Sequence, residues 1–132
     1  MHRLSLLFSL AVAAVMLAGC GVGTPGPEAK ISETTDTYLR SLASGDMTKA
    51  CAQLTADAKT ELGSSCAAAL QEIRARVGED RLTDAADKGS SISVDGPSGS
   101  ATLKGLTPVR LGLVKSGSDW LIDSGYALDG GS

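Results

Sequence analysis

Histidine and asparagine are almost missing from this chain of 132 residues, which has one histidine, His2, and no asparagine. Beyond position 2, therefore, no Ser-His-Asp or Cys-His catalytic group can form, and no cluster of histidines can bind a metal ion. The lack of asparagine also excludes an N-glycosylation acceptor. We expect neither a metal site nor a cofactor, and no enzymatic activity based on histidine.

The chain also has few aromatic residues and no excess of positive charge. The aromatic residues are Phe8, Tyr38, Trp120 and Tyr126, so the core must be built from Leu, Ile, Val and Ala. Without the first 19 residues, 11 basic and 15 acidic side chains remain, a net charge of −4. A mildly acidic chain without a basic patch argues against nucleic acid as a partner.

The first twenty residues have the layout of a secretory signal peptide. Arg3 follows the initial Met and His, and the uncharged stretch 4–18 comes next. That stretch has 15 residues, whereas a membrane-spanning helix needs about 20. Leu17-Ala18-Gly19-Cys20 resembles a bacterial lipobox. An ordinary signal peptide with a chance cysteine, or an uncleaved anchor, is the alternative interpretation.

The lipobox resemblance implies diacylglycerol on the sulfur of Cys20, as in palmitate-bearing lipoproteins, and cleavage between Gly19 and Cys20. Two or three acyl chains on one residue make a stable anchor. The expected place is therefore the extracytoplasmic face of a cell membrane, which the chain contacts through these acyl chains. We expect a signal peptide over 1–19, a lipidated cysteine and Gly/Pro-rich tether over 20–30, one domain over 31–125 and a tail over 126–132.

Cys51 and Cys66 are the two cysteines that remain, 15 positions apart. An exported domain favours a disulfide between such a pair. Two buried free thiols are the alternative. The chain has no C-x-x-C motif, so a thioredoxin-like redox role has little support.

Hydrophobic periodicity predicts helices in the first half of this domain and strands in the second. Ile31, Tyr38 and Leu42 recur at helical spacing, with Ser32 as an N-cap and Gly45 as a stop. Shorter helical stretches follow to Val77, with Asp46 and Thr55 as caps. From residue 90 the period becomes two, in four short stretches separated by turn residues. The expected fold is α+β, with N-terminal helices packed on a curved antiparallel sheet of about four strands.

Two groups of residues resemble nuclear-transport-factor-2-like domains. The first group is Thr37 to Asp46 followed by Ala50 to Thr55, and the second is Val109 to Ile122, which resembles the closing hairpin of that family. The chain is similar to small cysteine-containing lipoproteins of this type in high-GC Gram-positive bacteria. This resemblance implies a cone-shaped fold with a pocket at its open end, and members include isomerases, cyclases and modules that only bind.

Tyr38 and Trp120 are the candidates for lining such a pocket. The periodicity places Tyr38 on the apolar face of the first helix, which favours core packing over catalysis, and Trp120 is expected to anchor the core or its rim. Arg110 is expected on the surface, on the strand face opposite Leu111, and a cation in the pocket is the alternative. We identify no catalytic residue.

Acidic residues show no spacing that predicts a site. Asp36, Asp57 and Asp123 have no recognisable partner and are expected on the surface. Glu79, Asp80, Asp84 and Asp87 lack the D-x-D-x-D-G pattern of a calcium loop, which favours a solvated loop.

The sequence therefore predicts a membrane-anchored extracytoplasmic lipoprotein with a non-enzymatic binding module. Its expected partner is a small apolar ligand or an envelope protein. A pocket enzyme of the isomerase or cyclase type is one alternative, and it needs a carboxylate facing the interior beside Tyr38 or Tyr126. A structural spacer that forms a homodimer is the other alternative.

Overall fold

The computed structural model describes residues 26–129 as one α+β domain. Its five helices are α1 (Pro27–Ser44), α2 (Met47–Cys51), α3 (Ala56–Glu61), α4 (Cys66–Val77) and α5 (Glu79–Lys88). Its strands are β1 (Ser90–Asp95), β2 (Ser98–Leu103), β3 (Arg110–Ser116) and β4 (Asp119–Ser124). Each strand pairs antiparallel with the next, in the order β1-β2-β3-β4. The predicted fold class is thereby confirmed.

Helix α1 begins four residues before the predicted domain boundary. Pro27 occupies its first turn, where a missing N–H costs nothing, and Gly26 is extended. Ser32 is thus an interior residue of the helix and not its N-cap, which corrects the sequence-based expectation. Gly45 ends the helix with a φ of 85°, and Asp46 caps α2 by accepting a hydrogen bond from the Lys49 N–H, both as predicted.

The acidic stretch 79–88 is also helical, although a solvated loop was expected. Helix α5 buries Leu82, Ala85 and Ala86 and exposes the charged side chains between them. Its apolar positions are few and small, so their helical spacing was difficult to recognise in the sequence. The charged residues belong to the solvated face of an amphipathic helix.

The core lies between α1 and one face of the sheet. Alternate residues of the strands, including Leu111, Leu113, Trp120 and Ile122, are buried against it. Gly99 in β2 allows α1 to approach closely, because a Cβ there would lie 2.5 Å from Cδ1 of Ile31. The core is otherwise aliphatic apart from Tyr38 and Trp120, as the composition predicts.

Residues 53–55 run along the outer edge of β4. The N–H of Ile122 donates to the carbonyl of Gln53 at 2.8 Å, and the N–H of Thr55 donates to the carbonyl of Ile122 at 3.0 Å. The Thr55 side chain caps α3 and its hydroxyl donates to the Asp123 carboxylate at 2.8 Å. The segment between α2 and α3 is therefore attached directly to the sheet.

Candidate functional site

Cys51 and Cys66 form a disulfide, as the sequence predicts. Their Cα atoms lie 6.2 Å apart, and the bond joins the end of α2 to the start of α4. The alternative of two free thiols is therefore wrong. Gly19 and Cys20, the predicted cleavage and lipidation residues, lie outside the described residues.

Tyr38 lies in the core and lines none of the three clefts described below. Its side chain is 0% exposed, and its hydroxyl donates to the carbonyl oxygen of Tyr126 at 2.7 Å. Burial raises the pKa of Tyr38 well above its usual value. A tyrosine that is held neutral and already hydrogen-bonded serves the packing of α1, which agrees with the periodicity.

Residues 126–128 are part of the tail expected over 126–132, but they pack against the domain. The Tyr126 hydroxyl donates to the carboxylate of Glu61 in α3, and Leu128 is buried. The hydrogen bond to Glu61 is the main cause that raises the pKa of Tyr126 to about 12. Tyr126 and Leu128 are apolar residues at alternate positions after Gly125, a signal that could have extended the predicted domain.

The buried polar side chains of residues 26–129 are hydroxyls. They belong to Thr34, Thr35, Ser41 and Ser100. Thr34 donates to the carbonyl of Trp120 at 2.8 Å, while Oγ1 of Thr35 has no hydrogen-bond partner. The buried polar side chains are therefore neutral, and three of the four lie on α1 itself.

Three residues that the sequence analysis expects on the surface, Arg110, Asp123 and Asp36, have side-chain partners. Arg110 lies on the outer face of the sheet, as expected, and donates to Oγ of Ser100 at 3.1 Å. Asp123 accepts a hydrogen bond from the hydroxyl of Thr55, although its sequence context offered no partner. Asp36 pairs with Arg40 at 2.9 Å on an exposed part of α1. These contacts are structural and lie outside the three clefts.

A groove of about 600 Å³ lies at the end of the domain where α1 begins. We call this end, which comprises Pro27 and the hairpin turns at 96–97 and 117–118, the turn end. The groove, named the turn-end groove, is lined by Pro27, Lys30, Gly96, Lys115, Gly117, Ser118 and Trp120. Trp120 also borders a second groove, of about 510 Å³, between α1, the end of α2 and β4. The predicted pocket residue Trp120 therefore contributes a buried wall to two open grooves.

A smaller cleft of about 190 Å³ lies between α4, α5, the β2–β3 loop and the C-terminal segment. We call it the arginine cleft because Arg76 and Arg81 line it. Its apolar wall is formed by Val77, Leu106, Val109 and Leu128, and its remaining residues are Thr107, Pro108 and Asp129. Arg76 donates to the carbonyl of Ala127, which fixes the C-terminal segment against α4. With one carboxylate and two guanidinium groups, the lining carries one net positive charge.

The sequence analysis did not identify the arginine cleft. Its residues come from four separate segments, and the last of them reaches α4 through the packing of Leu128 and the hydrogen bond from Arg76 to Ala127. Arg76 and Arg81 are five positions apart, a spacing that carries no ligand signal by itself. The arrangement combines an apolar wall with cationic groups, which is the chemistry that orients a small anionic ligand with an apolar part.

Comparison of the chain with protein families, with curated proteins and with solved structures gives no match. Over residues 26–129, no helix has the length and apolar character needed to cross a membrane.

Proposed function

We propose that this chain is a lipid-anchored extracytoplasmic protein whose domain, of the nuclear-transport-factor-2-like type, is a non-enzymatic binding module. The Leu17-Ala18-Gly19-Cys20 sequence carries the anchor part of this proposal. The disulfide supports it, because it suits an oxidising compartment. Cys51 and Cys66 form a disulfide with each other. Cys20 is the third cysteine of the sequence and is not part of this disulfide.

The intact mass of the membrane-extracted protein tests the anchor. We expect a chain that begins at Cys20 and carries acyl chains on that residue. Cys20→Ala should abolish acylation and release the protein from the membrane, while Ser5→Ala, a change in the stretch that would be removed, should have no effect. A native chain that begins elsewhere, or a Cys20→Ala variant that keeps its size and membrane retention, would contradict the anchor.

The arginine cleft is the binding site that the geometry supports best. A cleft of about 190 Å³ is smaller than the roughly 300–1,000 Å³ pockets that receive drug-sized ligands. It therefore suits a short apolar group that ends in an anion, such as a carboxylate, with the apolar wall receiving the chain and Arg81 the charge. The lining of the arginine cleft therefore changes the expected ligand from a small apolar molecule to a small anion with an apolar part.

Butanoate is a suitable probe, with butan-1-ol and acetate as matched compounds that each lack one of the two features. A ligand of this size is expected to bind with a Kd on the order of 1 mM. Titration by NMR should show butanoate binding more tightly than either matched compound. Arg81→Gln should remove the preference for the anion, whereas Arg40→Gln, on the exposed face of α1, should retain it. Equal affinity of butanoate for the two variants would refute the assignment.

A pocket enzyme remains the alternative because one tyrosine does have a carboxylate neighbour. The Tyr126 hydroxyl donates a hydrogen bond to the carboxylate of Glu61, but the Glu61 side chain is exposed and does not face the interior. The pKa of Tyr126 is raised to about 12, which opposes its use as a base near neutral pH. Turnover of an isomerase-type substrate that is lost in Tyr126→Phe would favour the enzyme over the binding module.

A further inference from the structure

Residues 125–128 follow β4 and form a turn at one side of the arginine cleft. We call these residues the closing turn. The N–H of Leu128 donates to the carbonyl of Gly125 at 3.1 Å, and the Leu128 side chain, which is 4% exposed, belongs to the apolar wall of the cleft. The position of this part of the wall therefore depends on what holds the closing turn against the domain.

The backbone of Leu128 is in a conformation that leucine seldom adopts. Its φ is 56°, and among residues 26–129 it is the one residue other than glycine with a positive φ. A left-handed backbone brings Cβ close to the following carbonyl oxygen, which makes this conformation unfavourable for a residue with a side chain. Leu128 therefore needs contacts with the rest of the domain to keep its side chain in the wall.

Two side chains from separate helices hold the closing turn by its carbonyl groups. The hydroxyl of Tyr38 in α1 donates to the carbonyl oxygen of Tyr126 at 2.7 Å, and the guanidinium of Arg76 in α4 donates to that of Ala127. Arg76 thus holds the residue directly before Leu128, and a charged donor forms a stronger hydrogen bond than a neutral one. Tyr38 is buried in the core, whereas Arg76 is exposed and lines the cleft.

We propose that Arg76 is a positioning residue of the arginine cleft, which holds Leu128 in the apolar wall and thereby determines how strongly the length of a ligand's apolar chain affects binding. This inference rests on the proposed anion-binding function of the cleft. Arg81, which is exposed and belongs to α5, binds the carboxylate, whereas Arg76 acts through Ala127. The two arginines therefore select for different parts of the ligand, its charge and its chain.

The affinities of acetate, propanoate and butanoate for the full chain, measured by NMR titration, separate the two roles. These ligands carry the same charge, so the ratio of their Kd values is insensitive to the removal of an arginine charge and to the carboxylate of Asp129, which also lines the cleft. Burial of each methylene group strengthens binding by about fourfold. Butanoate should therefore bind the wild-type protein roughly 15-fold more tightly than acetate.

Four variants assign the chain-length effect to Arg76. Arg76→Gln should lower the ratio of the acetate and butanoate Kd values to about fourfold, because without Leu128 in place each methylene is about half buried. Arg76→Lys keeps a cationic donor and should restore most of the ratio. Arg81→Gln should weaken all three ligands by the same factor and leave the ratio unchanged. Arg74→Gln is the matched control, since Arg74 also donates to a backbone carbonyl, that of Ala43, but does not line the cleft.

Shortening Leu128 tests whether Arg76 acts through this side chain. Leu128→Ala should lower the ratio as Arg76→Gln does. The double variant should lower it no further, because both changes remove the same part of the wall. Losses that multiply in the double variant would show that Arg76 does not act through Leu128, and they would overturn the positioning role.

Hydrogen exchange of the Leu128 amide reports on the closing turn in the wild-type protein. Since the ligand binds with Leu128 in place, butanoate at ten times its Kd should raise the protection of this amide by up to about tenfold. Unchanged protection would overturn the positioning role even if Arg76→Gln fails to fold.

The titrations also distinguish this inference from the proposed function. Failure of all three carboxylates to bind the wild-type protein would overturn both. Binding that depends on chain length, with the same ratio in the wild-type protein and in Arg76→Gln, would overturn the inference alone. A ratio that falls equally in Arg74→Gln would also overturn it, because the loss would not be specific to the cleft.

Discussion

Helix α1 with the sheet and the helical segment 46–77 are stabilised in different ways. Helix α1 has 18 residues and no side-chain cap, and it buries one face against the strands. Helices α2 and α3 have five and six residues, lengths that are marginal for an isolated helix. Caps by Asp46, Thr55 and Ser65 and the disulfide stabilise this segment. Short helices on the side of a small domain thus need local and covalent support that a long core helix does not.

Among the changes that test this difference between the two regions, loss of the disulfide should have the largest effect on stability. Cys51→Ser/Cys66→Ser opens a loop of 15 residues, and we expect the free energy of unfolding to fall by about 3 kcal/mol. Denaturant titration measures the loss, and hydrogen exchange should show that amides of 46–77 lose more protection than those of β2 and β3. A uniform loss of protection across the domain would contradict the proposed division into two regions.

The second-largest effect on stability should come from a substitution at the close contact between α1 and β2. Gly99→Ala pushes Cδ1 of Ile31, which is fully buried, and overpacking of this kind costs about 1–3 kcal/mol. Gly112→Ala is the matched control on the outer face, where the new Cβ meets only the exposed and rotatable side chain of Ser124. Thermal unfolding should separate the two variants. Similar midpoints would mean that α1 has room to move away from the sheet.

Two neighbouring threonines of α1 offer a smaller test. Thr34→Val removes the hydrogen bond to the buried carbonyl of Trp120, and it should destabilise the domain by about 1 kcal/mol. Thr35→Val removes a buried hydroxyl without a partner, so stability should stay the same or rise by up to about 1 kcal/mol. Denaturant titration of both variants gives the sign of each change in the free energy of unfolding. A loss of stability in Thr35→Val would show that its hydroxyl does form a hydrogen bond.

The smallest expected effect concerns the link between the two regions through Tyr126 and Glu61. The pKa of Tyr126 is raised to about 12 in the folded domain, against about 10 in an unfolded chain. The stability that this proton contributes is therefore complete below pH 10 and is lost as the pH rises to about 12. Tyr126→Phe should make unfolding less dependent on pH in this range. An unchanged slope would assign the effect to Tyr38, whose pKa is also raised.

The sequence predicted those parts of the fold that depend on local patterns. Alternating apolar residues located the four strands, and Gly45, Asp46 and Thr55 located helix boundaries. The start of α1 was missed because Pro27 was interpreted as part of a tether, although proline is favoured in a first helical turn. Helix α5 was missed because its buried side chains are mostly alanines.

The candidate site was less predictable than the fold. Tyr38 and Trp120 were candidates for the pocket that the family resemblance implies, but periodicity alone does not distinguish a core residue from the wall of a groove. The arginine cleft depends on where the segment after Gly125 packs, and no local pattern determines that position. Tyr126 and Leu128 reach their places through contacts with α3 and the core, which are distant in sequence.

The attachment of residues 53–55 to β4 makes the two borders of the sheet unequal. The outward N–H and carbonyl of Ile122 are both occupied by Gln53 and Thr55. A strand from another molecule that approached along β4 would have to displace them first. Growth of the sheet into a fibril or a strand-exchanged pair is therefore blocked at this position, and protection against aggregation is built into the connection between two short helices.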